Sequence, residues 1–275
     1  MTTMSPFLEP VRRSSDYFME DPREAQRLVD KVEPTEWVQR YLARHLRPDS
    51  RVLDVGSGPG VLATEIARRC LRGQVVALDQ SAERSSQAGM RLARYGGYSL
   101  VGDAAILPFE DGSFDLVYCR FLLEYLRDPE QAVREMVRVC RPGGCVVLQD
   151  LDGQLLWHYP EDVELERQVT ATLAMLARTG FDPFAGRKLY HHCYSTGLTQ
   201  LSSSVEVYHH YAGAIDAENG RLWNLKLDIA LPAAALALGG EREALALKTR
   251  FLNYLRRPDT FTYSNLVTVV GVRAE

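Results

Sequence analysis

Three glycines at alternate positions, placed just after a short apolar run that contains an acid, constrain this chain more than any other feature. The stretch is Val52-Leu53-Asp54-Val55-Gly56-Ser57-Gly58-Pro59-Gly60. The apolar run predicts a buried strand. The glycines let the backbone turn tightly and come close to a ligand. The residues that follow, Val61 to Ala67, carry helical periodicity and no breaker. The unit therefore reads strand, glycine loop, helix.

The spacing bears on what that loop can hold. A dinucleotide fingerprint is G-x-G-x-x-G/A, with a pyrophosphate on the helix N-terminus. Gly56 and Gly58 fit it, but the next small position falls on Val61, so the spacing here is G-x-G-x-G. Asp54, just before the loop, repels a pyrophosphate and welcomes a cation. A ligand with a nucleoside and a positively charged group fits better than NAD.

Further segments follow in doubly wound order. Gln74 to Asp79 is a second apolar strand ending in an acid, where such folds put the carboxylate that bridges ribose hydroxyls. Ser81 is a candidate N-cap for the next helix. Tyr98 to Ala104 predicts a third strand, Ser113 to Cys119 a fourth, and Cys145 to Gln149 a fifth after the turn Arg141-Pro142-Gly143-Gly144.

With these segments in place the chain resembles the class I S-adenosylmethionine-dependent methyltransferases. The matching residues are Asp54-x-Gly56-x-Gly58-x-Gly60, Asp79, Gly102-Asp103-Ala104, Phe114-Asp115-Leu116-Val117 and Arg141-Pro142-Gly143-Gly144, covering about residues 35–151. The local style around Leu107-Pro108-Phe109 and Glu124 to Pro129 is similar to the ubiquinone/menaquinone and small-molecule branch. The resemblance implies an α/β, doubly wound, Rossmann-like fold. Its sheet would be mostly parallel and seven-stranded, with an antiparallel last strand and helical lid insertions. It implies S-adenosyl-L-methionine as cofactor. Backbone around Gly56, Ser57, Gly58 and Gly60 would pack against its homocysteine end, Asp54 would hold the α-amino group, and Asp79 would accept from the ribose hydroxyls. Asp103 and Ala104 would meet the adenine, and Cys119 and Arg120 would sit where the carboxylate and sulfonium pass. Gln80 stands where an apolar residue is common in the family, and could add a ribose or adenine contact.

Length and charge narrow the partners. The chain has 275 residues and a formal charge of −4, which argues against a non-specific nucleic-acid binder. Five scattered cysteines without a C-x-x-C fit a reducing compartment, and no apolar stretch approaches membrane-spanning length, so a cytoplasmic protein is expected. A homo-oligomer is compatible with these features. Residues 1–46 are expected to form an N-terminal helical cover, 47–151 the cofactor-binding core, and 152–275 the lid insertions and last two strands. Within the cover, Thr35 is a candidate cap for a helix presenting Trp37, Val38, Tyr41 and Leu42, and Tyr17 either staples that segment to the core or folds over the site. Helices are expected over 163–177, 187–195 and 217–256, and strands over 205–211 and 261–272.

Methyl transfer from a sulfonium is an in-line displacement in which the protein chiefly positions the nucleophile. A base is optional. Asp150, Asp152 and His158, after the fifth strand, are candidates for it, with Tyr17 as a further candidate from the cover. Helix capping and packing are the plain alternatives for these residues. The pairs His191-His192 and His209-His210 lack two-ligand geometry, because adjacent residues point apart on a strand or a helix, so no metal is expected. The sequence leaves O, N, C and S open as acceptor atoms. A small, partly apolar acceptor in secondary metabolism is the leading reading. Beside it stand a macromolecule methyltransferase, on RNA or protein, and a cofactor-binding fold repurposed as a cyclase or scaffold.

Overall fold

Strand β1 (Arg51–Val55) is buried at four of its five residues because it lies between two parallel neighbours, β2 (Gln74–Asp79) and β4 (Phe114–Arg120). Its near-continuous apolar sequence follows from burial on both faces. In the computed structural model, which describes residues 32–178 and 180–275 together with Arg23 and Val29, this trio is the centre of a seven-stranded sheet. The order is β3-β2-β1-β4-β5-β7-β6, where β3 is Tyr98–Val101, β5 Cys140–Tyr159, β6 Leu198–Ala212 and β7 Phe261–Arg273. The first five are parallel, and β7 runs antiparallel between β5 and β6. The expected fold class holds. Tyr17 and most of the expected cover lie outside the described residues.

Helices flank both faces. α1 (Pro34–Tyr41), α2 (Val61–Arg69) and α3 (Ala82–Leu92) cover one, where Trp37, Ile66 and Leu92 pack on Val52, Val75 and Tyr118. α4 (Pro129–Val139) and α6 (Leu189–Ser195) cover the other, with Met136, Leu189 and Cys193 against Leu53, Val117 and Leu148. Ser81 caps α3 as expected, accepting from the Arg84 N–H. Thr35 does not cap α1. The helix begins at Pro34 with Glu33 at the cap, since proline needs no N–H partner at the first helical position.

The sheet departs from expectation at its long strands. β5 runs on to Tyr159, well past Gln149, and β6 begins at Leu198 rather than 205. Both extensions pair with β7. Alternation hides them: the β5–β7 register shifts between Asp152 and Trp157, and β6 is an edge strand with two shifts of its own. β3 is shorter than expected, with Gly102 already outside the strand.

The extensions carry a third layer beyond the carboxyl ends of the parallel strands. There α5 (Val163–Ala177), α7 (Ala217–Leu238) and α8 (Glu241–Leu255) bury Leu165, Val169, Trp223, Leu247 and Phe251 against one another. The helical stretch expected over 217–256 is thus two helices, broken at Gly239 and Gly240, both at positive φ. The five cysteines are buried free thiols. No helix among the described residues is long and apolar enough to cross a membrane.

Candidate active site

The glycine loop is pinned to the end of β2. The N–H groups of Gly56 and Ser57 both donate to the Leu78 carbonyl, at 2.8 and 3.0 Å. Gly56, Gly58 and Gly60 all have positive φ, so the loop curls left-handedly into α2. Gly60 is also a close approach: a Cβ there would lie 2.6 Å from the Ala88 Cβ of α3. The loop thus needs glycine for conformation and for packing.

Asp79 ends β2 beneath the loop. Its Oδ2 accepts from the Gly58 N–H at 2.8 Å, and its Oδ1 accepts from the Ser81 N–H at 2.9 Å and from Arg84 Nε at 3.2 Å. Arg84, one turn into α3, was not apparent as a site residue. The signal was an arginine five residues after the strand-end acid, on a helix whose first turn must face that acid. Gln80 follows Asp79 and is half-buried. The Gly102 N–H donates to the Asp79 carbonyl at 3.1 Å, which sets Asp103 and Ala104 beside the end of β2. Asp103 Oδ1 accepts from the Ala105 N–H at 2.8 Å, and Ala104 is buried.

A polar row crosses the neighbouring strands on the face that α1 covers. Register places Asp54 beside Tyr118, Arg120 beside Gln149, and Gln149 beside Thr268. Because side chains alternate, residues two apart share a face, so Tyr118 and Arg120 both join the row. Gln149 is its hub. Its Oε1 accepts from Trp37 Nε1 at 2.7 Å and from Arg120 Nε at 3.0 Å, and its Nε2 donates to Thr268 Oγ1 at 2.7 Å. The Arg120 guanidinium lies 4.1 Å from the centre of the Phe121 ring, and Phe121 itself has a φ of 54°. A non-glycine residue held at positive φ marks stored strain at a site.

Asp54 sits in this row, nearly fully buried. Burial pushes its carboxyl up to about 7, and the Asp79 charge adds to this, while the Tyr118 hydroxyl and the Arg120 charge oppose it. The Tyr118 hydroxyl approaches that carboxyl without a well-formed hydrogen bond, and it has no partner among the described residues. A buried hydroxyl without a well-formed hydrogen bond is rare in a protein interior. Trp37, Tyr118 and Gln149 are not among the site residues that the sequence offers, although strand parity from Asp54 and Arg120 points to the latter two.

Cys119 faces the other way. Its side chain packs in the core beside Leu53 and Leu148, so any ligand contact at this position falls to backbone. The three described base candidates do not converge either. Asp150 is fully buried on the Cys119 face, where its Oδ2 accepts from the Glu124 N–H at 3.1 Å and fixes the short turn Leu123–Tyr125. Burial, with the Glu124 charge, holds its carboxyl well above the usual carboxylate range. Asp152 is gripped by Arg187, Nε to Oδ1 at 2.7 Å and the second nitrogen to Oδ2 at 2.9 Å. His158 lies against Phe251 and Tyr254, its Nδ1 3.0 Å from Thr262 Oγ1. Each holds a turn, an arginine or a packing contact, the plain alternative to a role as base. Tyr17 lies outside the described residues.

The histidine pairs stay apart. His191 neighbours His192 on α6, while His209 packs on Trp223 and His210 on Phe261. Among the described residues no three His, Cys, Asp or Glu side chains gather as metal ligands.

Comparison with known proteins bears on the same segment. Residues 53–148 match the family described as Methyltransferase domain. An uncharacterized methyltransferase of Schizosaccharomyces pombe is 29% identical over 158 residues, 54% of this chain and 56% of that protein. A demethylmenaquinone methyltransferase of Renibacterium salmoninarum is 40% identical over 138 residues, 50% of this chain and 56% of that protein. The chain therefore spans about half the length of these curated relatives. Among solved structures, a phosphoethanolamine N-methyltransferase of Haemonchus contortus bound to S-adenosylhomocysteine superimposes with a TM-score of 0.56 at 16% identity. The match covers 88% of this chain and 52% of that one, and the likeness is one of fold.

Proposed function

We propose that this chain, whose residues 53–148 match the methyltransferase-domain family, is an S-adenosylmethionine-dependent methyltransferase acting on a small, partly apolar organic acceptor. The observation that carries the reading is the buried Asp54–Tyr118 pair beside the glycine loop. A carboxyl poised near neutrality and an unsatisfied hydroxyl suit an ammonium, which would donate to both. A pyrophosphate would find a carboxyl where it needs a donor. The relative named demethylmenaquinone methyltransferase supports an organic acceptor of modest size.

The residues then divide the work. Asp54 and Tyr118 would take the α-amino group, Arg120 the carboxylate, Asp79 the ribose, and Gln80, Asp103 and Ala104 the adenine side. Gly56, Ser57, Gly58 and Gly60 would bring backbone close to the homocysteine chain. When bound, the cofactor supplies a methyl group activated by its sulfonium. The chain's part is to align a nucleophile and exclude water. No dedicated base is assigned, since Asp150, Asp152 and His158 hold other groups. Residues 1–46 would cover the site, anchored through Trp37 to Gln149 and through Tyr41, whose hydroxyl donates to Glu206 of β6 at 2.8 Å.

Calorimetry tests the reading directly. S-adenosylhomocysteine should bind in the micromolar range and NAD should not bind comparably. Incubation with methyl-labelled cofactor and a metabolite extract should label a small molecule identifiable by mass spectrometry. Tight NAD binding without a response to S-adenosylhomocysteine, or label appearing only in RNA or protein, would overturn it.

A further inference from the structure

We propose that the helical lid holds a binding site for a hydrocarbon chain, and that this chain is the tail of the methyl acceptor. The second half rests on the methyl-transfer reading; the first rests on a cavity. Between them α5, α7 and α8 line a partly open pocket of about 70 Å³. Its walls are Leu173 and Leu176 of α5, Ala230 and Ala234 of α7, and Leu247 and Phe251 of α8.

Two features keep the space open. Pro232 stands inside α7, between the two wall alanines. A proline there removes a helix hydrogen bond and pushes on the preceding turn, which bends a helix away from its neighbour. Alanine at 230, 234 and 244 then stops short where a larger apolar residue would fill the gap. A packed lid would normally close such a space, because voids forfeit contact.

The chemistry of the walls selects the ligand. Thr172, the hydroxyl among the lining residues, donates to the Gln168 carbonyl at 2.9 Å. Lys248 pairs with Asp228, and Lys226 Nζ lies 5.1 Å from the centre of the Trp223 ring. A polar ligand would find these groups engaged and would lose its water on entry. An alkyl or isoprenoid chain has no hydrogen bonds to lose and gains contact with aliphatic walls.

The cavity also adjoins the site. Phe181, which lines it, packs 5.4 Å from Tyr125. Tyr125 belongs to the turn that Asp150 fixes, and Leu122, just before that turn, fills the space over Gly56. A molecule with its tail in the cavity would therefore carry its head toward the carboxyl ends of β1 and β4.

The test uses the full chain and N-phenyl-1-naphthylamine, a neutral apolar fluorophore, with 1-decanol as competitor. The parent should enhance its fluorescence saturably and lose the enhancement to decanol. Ala234→Phe and Ala244→Leu fill the cavity from different helices. Each should weaken the probe at least about tenfold while S-adenosylhomocysteine affinity stays within about twofold, which also shows that the fold is kept. Hydrogen exchange on the parent needs no variant: decanol should slow exchange over 169–176, 226–236 and 244–251. A parent that ignores the probe, a filled variant that binds it as before, or protection elsewhere overturns the site. With labelled cofactor and a lipid extract, hexane-soluble label that falls at least about tenfold in Ala234→Phe supports the tail. Label confined to the water phase overturns it. A parent that fails to bind S-adenosylhomocysteine sinks the methyltransferase reading, and the probe titration still judges the cavity.

Discussion

Arg84 Nε donates to Asp79 Oδ1 across 3.2 Å, with the two side chains only 9% and 7% exposed. Together with the Gly58 and Ser81 N–H groups, that makes three protein donors on one carboxylate. An ionised carboxyl has about four lone-pair positions, so a vicinal diol must share with Arg84 rather than find both oxygens open. Sequence spacing gave Asp79 its place in the site, and the fold supplied its partner.

That crowding predicts two separable phenotypes. Asp79→Ala should weaken S-adenosylhomocysteine by roughly ten- to a hundredfold, the equivalent of about 1.5–3 kcal/mol for charge-assisted hydrogen bonds. Arg84→Met leaves a buried carboxylate with backbone donors only, and should cost about 3 kcal/mol of stability in urea unfolding. An Arg84→Met variant as stable as the parent would show that the pair is dispensable to the fold.

Asp54 predicts a pH dependence. Its folded value of about 7 lies above the ordinary 3.8. Between these values the folded chain keeps a proton that the unfolded chain has released. The stability contributed by Asp54 is therefore full below about pH 4 and lost as pH rises toward 7. Ligand binding runs the opposite way, since a bound ammonium favours the carboxylate. S-adenosylhomocysteine affinity should climb with pH by up to about tenfold per unit and level off above about pH 7. Asp54→Asn should flatten that profile in calorimetry. A flat profile in the parent would remove Asp54 from the ammonium site.

Gly60 carries both a conformational and a packing demand. Its φ is 76°, and an added Cβ would lie 2.8 Å from the Ala88 Cα, which is backbone and cannot swing aside. Gly60→Ala should cost about 2–4 kcal/mol in denaturant unfolding, combining left-handed strain with overpacking. A loss no greater than an ordinary surface substitution would mean that α3 yields freely and the loop is not braced by it.

The N-terminal cover should matter to turnover more than to folding. Deleting residues 1–20 should reduce methyl transfer at least about tenfold while leaving the melting transition of the sheet in place. Hydrogen exchange over residues 10–30 should also slow when S-adenosylhomocysteine is added. Turnover at the parent rate would reduce the segment to packing and leave Tyr17 without a role.

Local pattern by itself determined the Rossmann-like core. An apolar run, a positive-φ glycine loop and a strand-end acid are each legible within ten residues, because burial on both faces and backbone conformation leave direct marks in composition. Gly56, Gly58, Gly60, Asp79 and the segment around Asp103 stand out as candidates in that way. Tertiary structure decided whatever depended on partners distant in the chain. For Asp150 and Asp152 the sequence left a base or a capping role open, and contacts distant in the chain gave one to the Glu124 turn and the other to Arg187. Trp37 reaches Gln149 across 112 positions, and Gln149 reaches Thr268 across 119. The long extensions of β5 and β6 were hidden for the same reason. Their bulges break the two-residue period, so only pairing with β7 defines them, and on them stands the lid whose three helices line the pocket.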